Sequence, residues 1–410
     1  MPDASDRGRR RAAFVFILVT IGLDSLSFGL IAPVLPRLVE SFVGSTARAG
    51  WWIGVLGAAW AAMQFVFSPL LGGLSDRFGR RPIILASNFG LGIDYIVMAL
   101  APSLPWLLAG RLISGAASAS ITTAMAYISD VTAPEKRAQV FGWAGGAIGL
   151  GVVAGPALGG ALGELDVRAP FWVAGTLSLL SFLYGLLLLP ESLAAENRRA
   201  FAWKRSNPVG SLGLLTSSQK MRNLAAVYFL AQASQYVLPV ALVLYAGIRY
   251  DWGPLQIGAI FAAIGVIAAF AQGILTGLLV KAWGEWRTLV FGLLFGAAGL
   301  VLFALAPNGW VFWLGVPVIS LSGVAGPSIQ SLMANSVTAS DQGRLHGANM
   351  SLAGLAGTVA PLVFGWVFSL FIGELRALGL PGAPLLLSAG VLVIAILLAN
   401  HARRQASLDS

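Results

Sequence analysis

Residues Gly72–Pro82 read GGLSDRFGRRP and form a polar island. On either side lies a run of almost uncharged residues, Trp51–Leu71 and Ile83–Ala101. An apolar run of about twenty residues crosses the hydrocarbon of a bilayer as one helix. The island therefore reads as a tight turn between two spans, with four charges in the six residues Asp76–Arg81. In lipid every backbone N–H and C=O needs an internal partner, which restricts such a chain to helices or a closed barrel. A barrel would show short alternating segments rather than long continuous apolar runs.

The same alternation continues along all 410 residues and predicts twelve spans. They fall near 12–36, 50–71, 83–102, 105–128, 138–163, 170–190, 223–248, 254–280, 288–306, 309–335, 344–372 and 383–400. Only 10% of the residues are charged and 57% are hydrophobic, against roughly 25% charged in soluble domains. The fold class is an all-α polytopic membrane protein. The start, RGRRRAAFVFILVT, has the basic and apolar parts of a signal peptide. Its apolar run continues to Pro36 without a small-residue cleavage site, so it reads as a retained span with Arg7–Arg11 as a cytoplasmic anchor. With the N-terminus inside, 20 of the 26 basic residues fall in cytoplasmic segments. That bias places both termini in the cytoplasm.

Residues 1–190 and 223–410 each supply six spans, and 191–222 is a polar linker carrying Arg198, Arg199, Lys204, Arg205, Lys220 and Arg222. An offset of 205 residues aligns the halves. Gly72 falls on Gly277, Gly79 on Gly284, and Ala99-Leu100-Ala101-Pro102 on Ala304-Leu305-Ala306-Pro307. Gly142, Gly149, Pro156 and Gly160 fall on Gly347, Gly354, Pro361 and Gly365. Two like-oriented six-helix halves form the parallel repeat of many secondary transporters, with a central cavity between them near the midplane.

Asp24, Asp94 and Arg111 lie inside spans 1, 3 and 4. A charge facing lipid costs roughly 2.5–3.5 kcal/mol on insertion scales, so such residues face a cavity or a partner. Asp94 and Arg111 reach similar depths on consecutive antiparallel spans; they form either a structural pair or a working one. Asp24 shares its helical face with Thr20 and Ser27 and has no basic neighbour in its span. A carboxylate so placed can take up and release a proton. At the offset positions the second half has Phe229, Gly299 and Val316. It offers Gln232 and Gln235 instead, with Tyr228, Tyr236 and Phe261, which predicts a mostly apolar, aromatic wall. In span 5, Gly151, Gly155 and Gly159 make a smooth face and Pro156 a bend. Together with Gly160 they fit close helix packing and, as a further expectation, a rocking contact between the halves.

These residues resemble the major facilitator superfamily. Gly72–Arg81 is similar to its signature GxxxDRxGRR, with Gly72, Asp76, Arg77, Gly79, Arg80 and Arg81 in place. Arg111-Leu-Ile-Ser-Gly115 is similar to RxxxG in span 4, and Gly151–Gly160 to GxxxGPxxGG, associated with antiporters. Asp24 through APVLP, Gln64 in AMQF, Asp94-Tyr95 and Leu189-Pro190-Glu191-Ser192 resemble the bacterial tetracycline/proton antiporters. The resemblance implies the major facilitator fold, proton and substrate handling by Asp24 and Asp94, and a gating latch at Asp76 and its arginines. Asp130 and Arg137 are the expected neighbours of that latch, which would also meet the start of span 11. It further implies a bacterial inner membrane location. The resembling family carries an additional acid in span 9, where this chain has Gly296. The resemblance therefore carries to export of amphipathic drugs, tetracycline-like or of several kinds.

Other classes fit less well. The net charge of +9 is dispersed between apolar spans, which excludes a nucleic-acid surface. With no cysteine, and His346 and His401 near span ends, no metal or cofactor site is implied and no buried nucleophile has a base. No GxxxxGK[ST] stretch occurs, so ATP-driven pumping is unsupported. The reading is a monomeric, proton-coupled exporter of a small amphipathic molecule; the alternative is a proton symporter importing a small metabolite.

Overall fold

The computed structural model describes residues 4–118, 121–198, 212–338 and 341–408. Arg199, Lys204 and Arg205 lie outside the described residues, as do the side chains of Arg7–Arg11. Twelve helices are long and apolar enough to cross a membrane. They are Val15–Val43, Thr46–Phe78, Arg80–Leu100, Leu104–Val131, Gln139–Leu165 and Ala169–Leu188, then Gln219–Tyr250, Pro254–Trp283, Glu285–Leu305, Gly309–Ala334, Gln342–Ile372 and Ala383–Gln405. We number them spans 1 to 12. The described residues contain no strand.

The polar island differs from its expected form. Span 2 stays helical through Gly72, Asp76 and Arg77 to Phe78, and span 3 begins at Arg80. The turn is Gly79 alone, at φ 106° and ψ 163°, a conformation open to glycine because it lacks a Cβ. Helical continuation satisfies backbone groups that a longer turn would leave without partners.

The repeat is visible in the backbone. Offset by 205, Phe78, Arg80 and Leu100 become Trp283, Glu285 and Leu305, the bounds of spans 8 and 9. Gly284 stands where Gly79 does, at φ 79° and ψ 166°. Spans 1 and 5, 3 and 6, 3 and 4, and 1 and 6 pack together, and so do their equivalents 7 and 11, 9 and 12, 9 and 10, and 7 and 12.

Two compact units result: Met1–Leu38 with Ala59–Asn207, and Val39–Ala58 with Pro208–Ser410. The first is built on close backbone approach. A Cβ at Gly151 would lie 2.6 Å from the Gly22 carbonyl oxygen, and one at Gly155 would lie 2.6 Å from that of Leu26. Gly159 meets Leu30 in the same way, and Gly160 is buried. The glycine face of span 5 is thus filled by span 1 of its own unit, rather than lying free for a rocking contact. In the second unit Gly365 approaches Gly54, and Phe368 packs on Gly50.

Nothing lies within 4 Å of a Cβ placed at Gly149, on the other side of span 5. Gly155→Ala is expected to lower the melting temperature of the purified protein, with a cost in the range of about 1–3 kcal/mol usual for overpacking. Gly149→Ala should leave it unchanged or raise it, since alanine favours helix. Equal effects of the two would refute the close contact.

Candidate functional site

Two of the expected residues come together in the first unit, and a third lies in its span 1. Asp94 is fully buried in span 3 and Arg111 nearly so in span 4. Room for the carboxylate comes from Gly110, where a Cβ would sit 2.7 Å from Asp94 Oδ1. Neither Asp94 oxygen has a hydrogen-bond partner, and neither has Arg111 Nε. Arg111 Nη2 instead points to Met98 Sδ at 3.7 Å. The two charges therefore share one pocket and act on each other without closing an ion pair. Tyr95 is buried beside them and lies within electrostatic reach of Arg111, Asp94 and Asp24.

Asp24 is half-buried, and among the described residues it makes no hydrogen bond or ion pair. Thr20 shares its helix face but is taken up elsewhere: its hydroxyl pairs with Ser181 Oγ at 3.1 Å, which also accepts from Asn88 Nδ2 at 3.2 Å. Ser27 is buried with an unpartnered hydroxyl. Gln64 is half-buried in span 2.

At the end of this unit the signature residues form a second cluster. Arg80 bridges two acids: Asp76 through Nη1, and Asp130 through Nε at 3.2 Å. Its Nη1 also donates to Ser75 Oγ at 2.7 Å. Glu191 lies against the bare Gly79. Its Oε1 accepts from the backbone N–H groups of Arg80 at 2.8 Å and of Ser192 and Leu193 at 3.0 Å. Its Oε2 accepts from Arg81 N–H at 3.2 Å. A carboxylate at a helix start satisfies donors that have no partner within the helix and complements the helix dipole. Arg81 Nη2 donates to the Leu186 carbonyl at 2.8 Å, and Tyr127 to that of Pro190 at 3.0 Å. The cluster thereby joins spans 2, 3 and 4 to the end of span 6. Of the expected neighbours Asp130 is within it and Arg137 is not, donating instead to the Thr132 carbonyl. Arg77 stacks over the Phe78 ring. Glu191 entered the sequence reading only as part of a resemblance, because nothing local shows which N–H groups a distant carboxylate will meet.

The second unit keeps the frame and changes its charges. Lys281 replaces Asp76, Glu285 replaces Arg80 and Asn335 replaces Asp130. Glu285 accepts from Ser331 Oγ and from Asn335 Nδ2, the latter at 3.2 and 3.3 Å. Lys281 is exposed and in no ion pair among the described residues. This unit also holds a cavity of about 310 Å³, lined by Gln232 and Gln235, Tyr228, and residues of spans 8, 9, 10 and 12. The expected mostly apolar wall is corrected here: the cavity is rich in carboxamides, drawn from spans far apart in sequence. Nor do the expected rings make one surface, since Phe261 packs instead against Val243, Ala246 and Ile257.

Removing the Glu191 carboxylate leaves four N–H groups without an acceptor, each worth about 1–3 kcal/mol if left buried. Glu191→Ala should therefore lower the melting temperature of the purified protein clearly, and Lys281→Ala should not. Equal shifts would remove the asymmetry of the two turns.

The comparisons with known proteins agree with this architecture. The family model described as Major Facilitator Superfamily matches residues 17–361. A tetracycline resistance protein of class C from Escherichia coli is 38% identical over 351 residues, covering 86% of this chain and 88% of that protein. One of class G from Vibrio anguillarum is 37% identical over 363 residues, covering 88% and 92%. Among solved structures, a bacterial homologue of the human lysosomal transporter Spinster, inward-facing and occupied, superimposes with a TM-score of 0.80 at 17% identity, covering 96% of this chain and 97% of that one. With twelve spans in a repeated frame and a family match over most of its length, this chain belongs to the major facilitator superfamily and is a multi-pass membrane transporter, not an enzyme.

Proposed function

We propose that the protein is a proton-coupled exporter of amphipathic drugs, working by alternating access of residues 1–190 and 223–410 about the linker 191–222. The observation that carries this reading is the group Asp24, Asp94 and Arg111: two membrane carboxylates, neither in an ion pair among the described residues, with a guanidinium turned to Met98 beside one of them. A proton on either carboxylate removes a charge from a low-dielectric site. A cationic or amphipathic substrate approaching that site competes for the same negative charge, which is what exchange of drug for proton needs. The tetracycline resistance relatives support the direction of transport and a bacterial inner membrane location. The distribution of basic residues supports cytoplasmic termini, and a monomer suffices because one chain carries both halves.

The turn at Gly79 serves as the latch of this cycle. Asp76, Arg80, Asp130 and Glu191 tie the ends of spans 2, 3, 4 and 6 into one piece, so those spans move together when the halves exchange access. The Arg80–Asp130 link is carried in the second unit by a neutral Asn335, so the first unit bears most of the latch strength.

The test is expression in a pump-deficient bacterium, growth against a drug panel, and efflux with and without a collapsed proton gradient. Asp24→Asn and Asp94→Asn should each reduce proton-driven efflux at least about tenfold, while drug exchange without a gradient persists in the variant whose residue serves only the proton. Asp76→Asn should cripple efflux and Lys281→Ala should leave most of it. Proton-driven uptake of a metabolite, with no drug exported, would establish the symporter instead.

A further inference from the structure

The cavity of the second unit is lined by seven polar side chains, none of them charged: Tyr228, Gln232, Ser234, Gln235, Gln272, Ser322 and Gln330. None of its lining residues is ionisable except through the phenol of Tyr228. The four glutamines make no hydrogen bond with another described residue, although all stand within membrane spans. Gln235, Gln272 and Gln330 are exposed and Gln232 half-buried, so their amides, each with two donors and an acceptor, are open to a ligand in the cavity.

The backbone around the cavity is irregular in three spans. Span 8 is a π-helix over Ala271–Leu275, which carries Gln272. Span 10 tightens to a 3₁₀ stretch over Leu321–Val324, which carries Ser322 and Gly323. Span 7 is a π-helix over Leu238–Leu242, beginning at the lining residue Leu238. Single-turn π segments gather at functional sites, and non-helical backbone at membrane depth is tolerated where it lines a cavity or is buried in protein. Gln272 lies across Gly323, where a Cβ would come 3.2 Å from its Cγ. Gly296 lets span 9 lie close to spans 10 and 12 at the cavity wall, since a Cβ there would be 3.0 Å from Ser322 Cβ and Leu392 Cδ1.

We infer that this cavity is a binding pocket for an uncharged group with both donors and acceptors, such as a primary carboxamide or a polyol. It deepens the exporter reading and rests on it for the identity of the molecule that carries the group. Charge is met by the carboxylates and guanidinium of the first unit, and neutral hydrogen bonding by the amides of the second. The volume of about 310 Å³ accommodates the head of a drug-sized molecule rather than the whole of it.

The chain has no cysteine, so Ser322→Cys supplies a single thiol inside the pocket of the full-length protein. Its reaction with four methanethiosulfonates is compared, each rate divided by that with free mercaptoethanol: one bearing a carboxamide, its alkyl isostere, a quaternary ammonium and a sulfonate. The carboxamide reagent should lead the other three by about tenfold, the size of one good hydrogen bond made or lost. Adding Gln272→Leu and Gln330→Leu should bring carboxamide and alkyl rates together, while Gln272→Asn, which keeps the amide, should preserve part of the lead. An unchanged melting temperature in the leucine variants separates this loss from unfolding; if they unfold, the Gln272→Asn and parent rates decide. Equal carboxamide and alkyl rates in the parent, or a lead for either charged reagent, would overturn the assignment. Efflux is measured in parallel. If it fails while the carboxamide lead holds, the exporter reading falls and the pocket stands.

Discussion

Hydrocarbon offers no hydrogen-bond partner, and the structure can be read as the response of one chain to that constraint. Backbone groups are satisfied within helices, so helices must pack on each other without a large hydrophobic gain. The response in the first unit is bare backbone: Gly151, Gly155 and Gly159 let span 5 lie on span 1 at distances no side chain would permit. Polar side chains then divide into two sorts. Thr20, Asn88 and Ser181 bond one another, Ser234 pairs with Ser388, and Tyr245 reaches the Phe303 and Ala304 carbonyls. These hold helices together. Asp94 and Arg111 are just as deep and keep polar atoms without partners. Polar atoms left so in such surroundings are costly to stability and are the atoms available for work.

The two units show how a repeat diverges. Helix bounds, the positive-φ glycine and the pairwise packing are kept at one offset. Chemistry is not kept. The Arg80–Asp130 ion pair becomes a Glu285–Asn335 hydrogen bond, with the charge now on the other partner. The same join between neighbouring spans survives with its polarity reversed, which shows that geometry and charge at this join are separable. Asp24, Asp94 and Arg111 belong to the first unit and the cluster of free amides to the second.

The spans were legible because hydropathy acts over about twenty residues and needs no knowledge of the fold. The repeat was legible because glycine and proline are held by backbone geometry, as Gly79 and Gly284 illustrate. Asp24, Asp94 and Arg111 stood out because charge is rare in a span. Other features depend on contacts far apart in sequence. Glu191 reaches Arg80 and Arg81 across more than a hundred residues. Gln272 and Gln330 sit in different spans, with no spacing that hints at one pocket. The π-helix at Ala271–Leu275 has an ordinary sequence, AQGIL, because it is imposed by what packs around it. The expected turn over Gly72–Pro82 was too wide because charged residues were taken to mark loop, whereas Asp76 and Arg77 complete the last helical turn.

The single-residue joint at Gly79 has a consequence for how the chain is built. Span 2 ends at Phe78 and span 3 begins at Arg80, so no slack separates them. The two spans therefore form a tight helical hairpin, with Asp76, Arg77, Arg80 and Arg81 at its tip. Four charges are costly to carry through lipid, so the tip stays in water. Gly284 makes spans 8 and 9 a second hairpin of the same kind. Each half thus carries a hairpin whose joint rests on one glycine, and the charges around Gly79 keep that end of the first one at the membrane surface.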